Sequence, residues 1–161
     1  MNSENLYYRK FKSSDFSSYK ALVSDPRIMK YITKNPLTEN EAKERFKVVM
    51  DQTNRHHDFG YFFAYKEDTN QLVGLIKLVD YKQDDFEIGY ALFPKFWGQK
   101  IASEMLEYFV EYARKKHIPH LTAVVDPENP GSLKLLAKNR FIFKKEDTIK
   151  NNLVHLYELN L

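Results

Sequence analysis

Cysteine is absent from the 161 residues of this chain. That excludes disulfides, thiolate metal sites and any mechanism that carries an acyl group on a protein sulfur. Long apolar runs are missing too, so no segment reaches the length of a membrane-spanning helix. The opening Met1-Asn2-Ser3-Glu4-Asn5 is polar, unlike a signal peptide, and a cytoplasmic location is the expectation. Charge of one sign is scarce: 25 Lys and Arg against 22 Asp and Glu leave +3. Spread this evenly, it makes no nucleic-acid footprint. Neither a Gly-x-Ser-x-Gly elbow nor a Walker loop occurs, and linkers, repeats and low-complexity stretches are lacking. What remains is 43% hydrophobic, 15% aromatic and 29% charged, the balance of one globular domain over residues 1–161.

Leu6–Phe11 alternates as an opening strand would. Ser13 or Ser14 can cap a helix carrying Phe16, Tyr19, Leu22 and Val23 at helical spacing. Asp25-Pro26 reads as a second helix start, and Thr38-Glu39-Asn40-Glu41 has capping-box spacing for a longer helix to about Thr53. Tyr61–Tyr65, Leu72–Val79 and Phe86–Leu92 are strand-like and joined by short turns, which predicts an antiparallel meander. From Lys100 to Lys116 the spacing predicts an amphipathic helix, with Met105, Leu106, Phe109, Val110 and Ala113 on its apolar face. His120–Val125 is a short strand reached by a crossover. Pro130–Lys138 reads as a last helix, and Phe141–Lys145 with Val154–Leu159 as a closing hairpin.

A strand that turns into a helix N-terminus makes an anion site, because the first N–H groups of the helix lack partners. Trp97-Gly98-Gln99-Lys100-Ile101-Ala102 occupies that position. Before it stand Glu87-Ile88-Gly89-Tyr90 and Leu92-Phe93-Pro94; after it come Pro127-Glu128-Asn129-Pro130-Gly131-Ser132 and Lys138-Asn139-Arg140-Phe141. In this order the segments resemble the acyl-CoA-binding core of the GNAT superfamily of N-acetyltransferases, in the branch that includes RimJ and RimL. The resemblance implies an α/β (α+β) fold. Its mixed, mostly antiparallel sheet of about seven strands is flanked by helices and splayed near the cofactor. It also implies acetyl-CoA as co-substrate, no metal, and direct acetyl transfer to a primary amine, on a small molecule or a protein N-terminus. Neither nucleic acid nor membrane is an expected partner, and the assembly is a monomer or homodimer.

Residue by residue, the resemblance wraps the cofactor pyrophosphate in Trp97, Gly98, Gln99, Lys100, Ile101 and Ala102. Lys100 stands where the family commonly has Gly, which permits close backbone approach and positive φ. Tyr90, Ala91 and Leu92 form a wall whose main chain binds the acetyl oxygen. Asn129 contacts the pantetheine arm, and Ser132 lies by the thioester sulfur as the acid for the leaving thiolate. Asn129 is equally a helix N-cap with Pro130 at the first turn. Lys134 and Lys138 share a helix face toward the nucleotide phosphates, or are simply solvated. Leu136 takes the place of a Tyr that serves many relatives as general acid. Arg140 replaces a Gly, with Asn139 expected to supply the left-handed cap.

On the acceptor side, Glu87 is the candidate base, acting through water. Asp84 and Asp85 read as turn residues. The N-terminal helices form the acceptor wall by resemblance, with Met29, Tyr31 and Phe46 as apolar contributors. Tyr61-Phe62-Phe63 reads as core, and Arg114-Lys115-Lys116-His117 as cations at a helix C-terminus. His56-His57-Asp58 has no further ligand set around it. Lys100 in place of Gly, together with Leu136, supports an alternative: a non-catalytic acyl-CoA-binding regulatory module.

Overall fold

A computed structural model describes residues 1–161. The chain runs β1 (Leu6–Lys10), a 3₁₀ turn at Ser13–Asp15, α1 (Phe16–Val23), α2 (Pro26–Met29) and α3 (Glu39–Asn54). Then come β2 (Gly60–Lys66), β3 (Leu72–Asp80), β4 (Phe86–Leu92), α4 (Ile101–Lys115) and β5 (His120–Val125). It closes with α5 (Pro130–Lys138), β6 (Ile142–Ile149) and β7 (Asn152–Asn160). Seven strands form one mixed sheet in the order β1-β2-β3-β4-β5-β7-β6, as the expected fold class requires.

The helices start where local chemistry supplies caps. Asp25 accepts the Arg27 N–H with Pro26 at the first helical position, and Thr38 with Glu41 completes a capping box. The first helix differs from expectation. Neither Ser13 nor Ser14 caps it; Asp15 accepts the Lys12 N–H and also binds Arg9, fixing the 3₁₀ turn that leads into α1. Asp15 precedes α1 as its N-cap residue, but its side chain accepts no N–H of that helix. The end of α5 also differs. Asn139 stays at φ −90°, and Arg140 takes the left-handed conformation at φ 65°. Phe141 N–H then reaches the Leu136 carbonyl, so Arg140 occupies the αL position that glycine prefers.

Strands β1 to β4 form the antiparallel meander, and β5, β7 and β6 form a second antiparallel set. The two sets meet through one parallel pair, β4 and β5, whose register covers only Phe86↔Leu121 and Glu87↔Thr122. Asp85 fastens that seam by accepting the Thr122 hydroxyl at 2.6 Å and the Phe86 N–H, a structural role consistent with a turn residue. Beyond Glu87 the strands part, and the outer edge of β4 has no strand partner.

Each sheet face carries its own core. Under α4 and α5, 22 buried residues include Met105, Leu106, Phe109 and Leu136. Under α1 to α3, a smaller set of 13 includes Leu22, Phe46 and Val49. Tyr61, Phe62 and Phe63 are buried core residues, as expected. Helix α4 packs on the larger core, and its N-terminal turn faces the parted end of β4 across a cleft.

Candidate active site

At the parted end of β4 lies a cleft of about 480 Å³, bounded by β4, the start of α4, the start of α5, and α2 with the turn after it. The floor toward α4 is a run of backbone donors. From Gly98 to Ser103, no N–H has an acceptor in the protein. Gly98 at φ 72° and Lys100 at φ 63° are both left-handed, the kind of backbone turn from which anion-binding nests are built. The α4 macrodipole adds partial positive charge there. A ligand phosphate fits this donor set, and a Cβ added at Gly98 would meet nothing within 4 Å.

Lys100 therefore takes the backbone geometry that glycine would supply. Its side chain is exposed, and its carbonyl accepts the Glu104 N–H to begin α4. The Trp97 indole donates to the Leu92 carbonyl at 3.0 Å, closing the end of β4, while the side chain stays 48% exposed as a cleft wall. The Gln99 side-chain amide turns away to the Lys95 carbonyl and takes no part in the cleft lining. Ile101 and Ala102 line the cleft from the first turn of α4.

Opposite stands the α5 N-terminus. Asn129 Oδ1 accepts the Ser132 N–H at 3.2 Å, and Asn129 Nδ2 donates to Ser132 Oγ at 3.1 Å. Tyr90, at the parted end of β4, donates its phenol to the same Ser132 Oγ at 3.2 Å. Burial pushes the Tyr90 phenol up, and its bond to Ser132 draws it partly back. Tyr90, Ala91, Leu92, Trp97, Gly98, Lys100, Ile101, Ala102, Asn129 and Ser132 thus meet at one cleft.

Four other sequence candidates stand apart from this lining. Besides the turned-away Gln99, Lys138 leaves α5 to reach Ser103 Oγ at 3.0 Å and Glu107 at 3.4 Å on α4. Lys134 is exposed. Glu87 sits at the vertex where β4 and β5 part, facing the α1–α3 side, with Lys77 Nζ 2.6 Å from its Oε1. Burial alone would lower the Lys77 ammonium; the Tyr61 phenol and Glu87 outweigh it and hold the group above its usual value. Leu136 is buried in the α4–α5 core.

Of the expected acceptor-wall residues, Met29 and Phe46 are buried in the smaller core, whereas Tyr31 lines the cleft with Ile28 and Ile32. Lys34, just beyond, reaches across to Asp126 at the end of β5 at 2.6 Å, tying the α2 turn to the opposite wall. Sequence spacing gives no sign of that contact, since 92 positions separate the partners. His56 binds Asp80 and His57 binds Asp58, and no three His, Asp or Glu side chains converge as a metal site would need.

A mixed sheet parted beside a run of unpartnered backbone donors offers an anion site at an open strand edge. Residues 5–142 match the family described as Acetyltransferase (GNAT) domain, and the chain belongs to it. It is 28% identical to the uncharacterized N-acetyltransferase p20 of Bacillus licheniformis, covering 99% of this chain and 93% of that protein. Its fold is similar to spermidine N-acetyltransferase from Vibrio cholerae, solved with CoA and spermine. There the TM-score is 0.78 at 17% identity, covering 97% of this chain and 95% of that one. A second likeness is to RimL, a ribosomal L7/L12 alpha-N-protein acetyltransferase solved with coenzyme A. That pair also has a TM-score of 0.78 at 17% identity, over 99% and 96% of the two chains. The protein is an acetyltransferase, and no helix in it is long and apolar enough to cross a membrane.

Proposed function

We propose that this acetyltransferase moves the acetyl group of acetyl-CoA directly to a primary amine, on a protein N-terminus or a small molecule. The observation that carries the reading is the parting of β4 and β5 beyond Glu87, directly beside six successive free N–H groups. One place thus offers a cradle for a pyrophosphate and an open strand edge for a thioester. Structures of similar fold include enzymes named for spermidine and for a ribosomal protein, which supports an amine as the acceptor.

Each group has a stated task in this reading. The backbone from Gly98 to Ala102 holds the pyrophosphate. Lys138, anchored on the first turn of α4, places a cation nearby, and the exposed Lys134 adds a second. The main chain of Tyr90, Ala91 and Leu92 polarises the acetyl oxygen, since the outer edge of β4 is unpaired there. Asn129 holds the pantetheine arm, and Ser132 faces the sulfur. Glu87 takes the proton of the attacking amine through water, because only the neutral amine has a lone pair to give. Ile28, Tyr31 and Ile32 border the acceptor path with apolar surface.

Calorimetric titration with acetyl-CoA, and with CoA for comparison, tests the cofactor half. One saturable site is expected. A panel of small amines and N-terminal peptides, followed by release of free thiol, then separates the two acceptor classes. Absence of saturable binding would sink the reading.

A further inference from the structure

Ser132 Oγ receives two hydrogen bonds, from the Tyr90 phenol at 3.2 Å and from Asn129 Nδ2 at 3.1 Å. Its acceptor capacity is used from both sides, so its own O–H is the one bond left to make. Both Ser132 and Tyr90 line the cleft. We propose that Tyr90 and Ser132 form a two-hydroxyl relay: Ser132 gives its proton to the departing sulfur, and Tyr90 replaces it. This rests on the acetyl-CoA reading above.

The chemistry explains why two hydroxyls are needed. As the amine nitrogen bonds to the acetyl carbon, the carbon–sulfur bond breaks and its electron pair leaves on sulfur. A thiol has a pKa of about 8.5 and a phenol of about 10. A lone serine hydroxyl is a far weaker acid than either. Coupling it to the phenol makes the pair a stronger proton donor than serine alone, even with burial holding the Tyr90 phenol above its usual value. Water then restores the Tyr90 proton, matching the one lost by the amine, and CoA leaves as the neutral thiol.

Other donors around the cleft are less suited. Leu136 has no proton to give and is buried. The Trp97 N–H is committed to the Leu92 carbonyl. Lys100 belongs to the α4 cradle, and Tyr31 stands on the turn after α2 without a bond to Ser132. Tyr90 projects from the strand whose parted edge flanks the proposed thioester position.

Two measurements on the full chain test the relay, with Tyr90→Phe, Ser132→Ala and the double variant compared after thermal melts confirm folding. In the first, each single variant is expected to lose about 10²-fold in turnover. The double variant should fall no lower, because groups in series are lost together. Losses that multiply to about 10⁴-fold, or unchanged turnover in Tyr90→Phe, would overturn the relay. The second measurement needs no turnover. The affinity of CoA is compared with that of desulfo-CoA from about pH 7 to about pH 9.5, spanning the thiol titration. In the wild type, CoA should gain several-fold on desulfo-CoA as the thiolate forms, and in Tyr90→Phe this gain should shrink because Ser132 no longer has the phenol behind it. An equal gain in both proteins overturns the assignment. If the wild type binds neither compound, the acetyl-CoA reading itself falls, and the relay with it.

Discussion

Lys77 crosses over Gly89 to reach Glu87: its Cε lies 2.8 Å from where a Gly89 Cβ would stand, and its Nζ lies 2.6 Å from Glu87 Oε1. Glycine at that strand position is what lets the lysine lie flat across β4. The ion pair is mostly covered, with the two side chains 20% and 18% exposed. Glu87→Gln should depress turnover by about 10²-fold if it takes the amine proton, with acetyl-CoA affinity little changed. Wild-type turnover in that variant would remove the base assignment. Steady-state kinetics alongside calorimetric titration reads both quantities.

Removing the lysine instead tests structure. Lys77→Met leaves a carboxylate without its partner in a largely covered place, and a loss of about 1–3 kcal/mol in unfolding free energy is expected. Urea denaturation of the single variants and of Lys77→Met/Glu87→Gln checks this. The double variant should recover part of the loss, because no charge is then left uncompensated.

Lys100 holds a left-handed backbone at φ 63°, a conformation that costs a non-glycine residue about 1 kcal/mol. Lys100→Gly should therefore stabilise the protein by up to about 1 kcal/mol in chemical denaturation. Lys100→Ala keeps the strain and removes the cation. Weaker acetyl-CoA binding than wild type in both variants would show that the side chain reaches phosphate. Wild-type affinity in both would confine its part to the backbone.

Gly74 on β3 pairs with Leu92, and a Cβ there would lie 2.1 Å from the Ala91 carbonyl oxygen. Backbone cannot yield as a flexible side chain can. Gly74→Ala is expected to cost about 2–3 kcal/mol and to weaken acetyl-CoA binding, because β4 must shift where it forms the cleft wall. A stable variant with unchanged affinity would show that this strand end has slack.

The contact of Lys34 with Asp126 predicts an acid response. Burial would raise the Asp126 carboxyl, but Lys34 and the Glu128 N–H outweigh it and hold it below its usual value. A carboxyl lowered by folding stabilises above its unfolded pKa of about 3.9, and that contribution is lost as pH falls through the folded value. Thermal midpoints of the wild type should thus drop below about pH 4, more steeply than those of Asp126→Asn. Parallel slopes would take Asp126 out of the acid transition.

Much of this organisation was readable from local pattern. The meander, the amphipathic α4 and the Asn129-Pro130 helix start each follow from periodicity or capping within a few residues. The cradle was legible because strand, turn and helix lie consecutively in the chain. Contacts between distant segments were not. Tyr90 entered the sequence reading only through its backbone, and nothing local says that its phenol meets Ser132, 42 positions later. Lys77 and Lys34 carry no motif at all. The capping differences at Asp15 and Arg140 share one cause: a tertiary partner or a helix end decided between neighbouring residues of similar propensity.

The short seam between β4 and β5 has a mechanical meaning. Two rungs join two antiparallel half-sheets, Leu6 to Leu92 on one side and His120 to Asn160 on the other. The halves also share the larger core under α4 and α5, to which residues of both contribute. A molecule seated in the gap stands where further rungs would have been, so it acts as a structural member while it reacts.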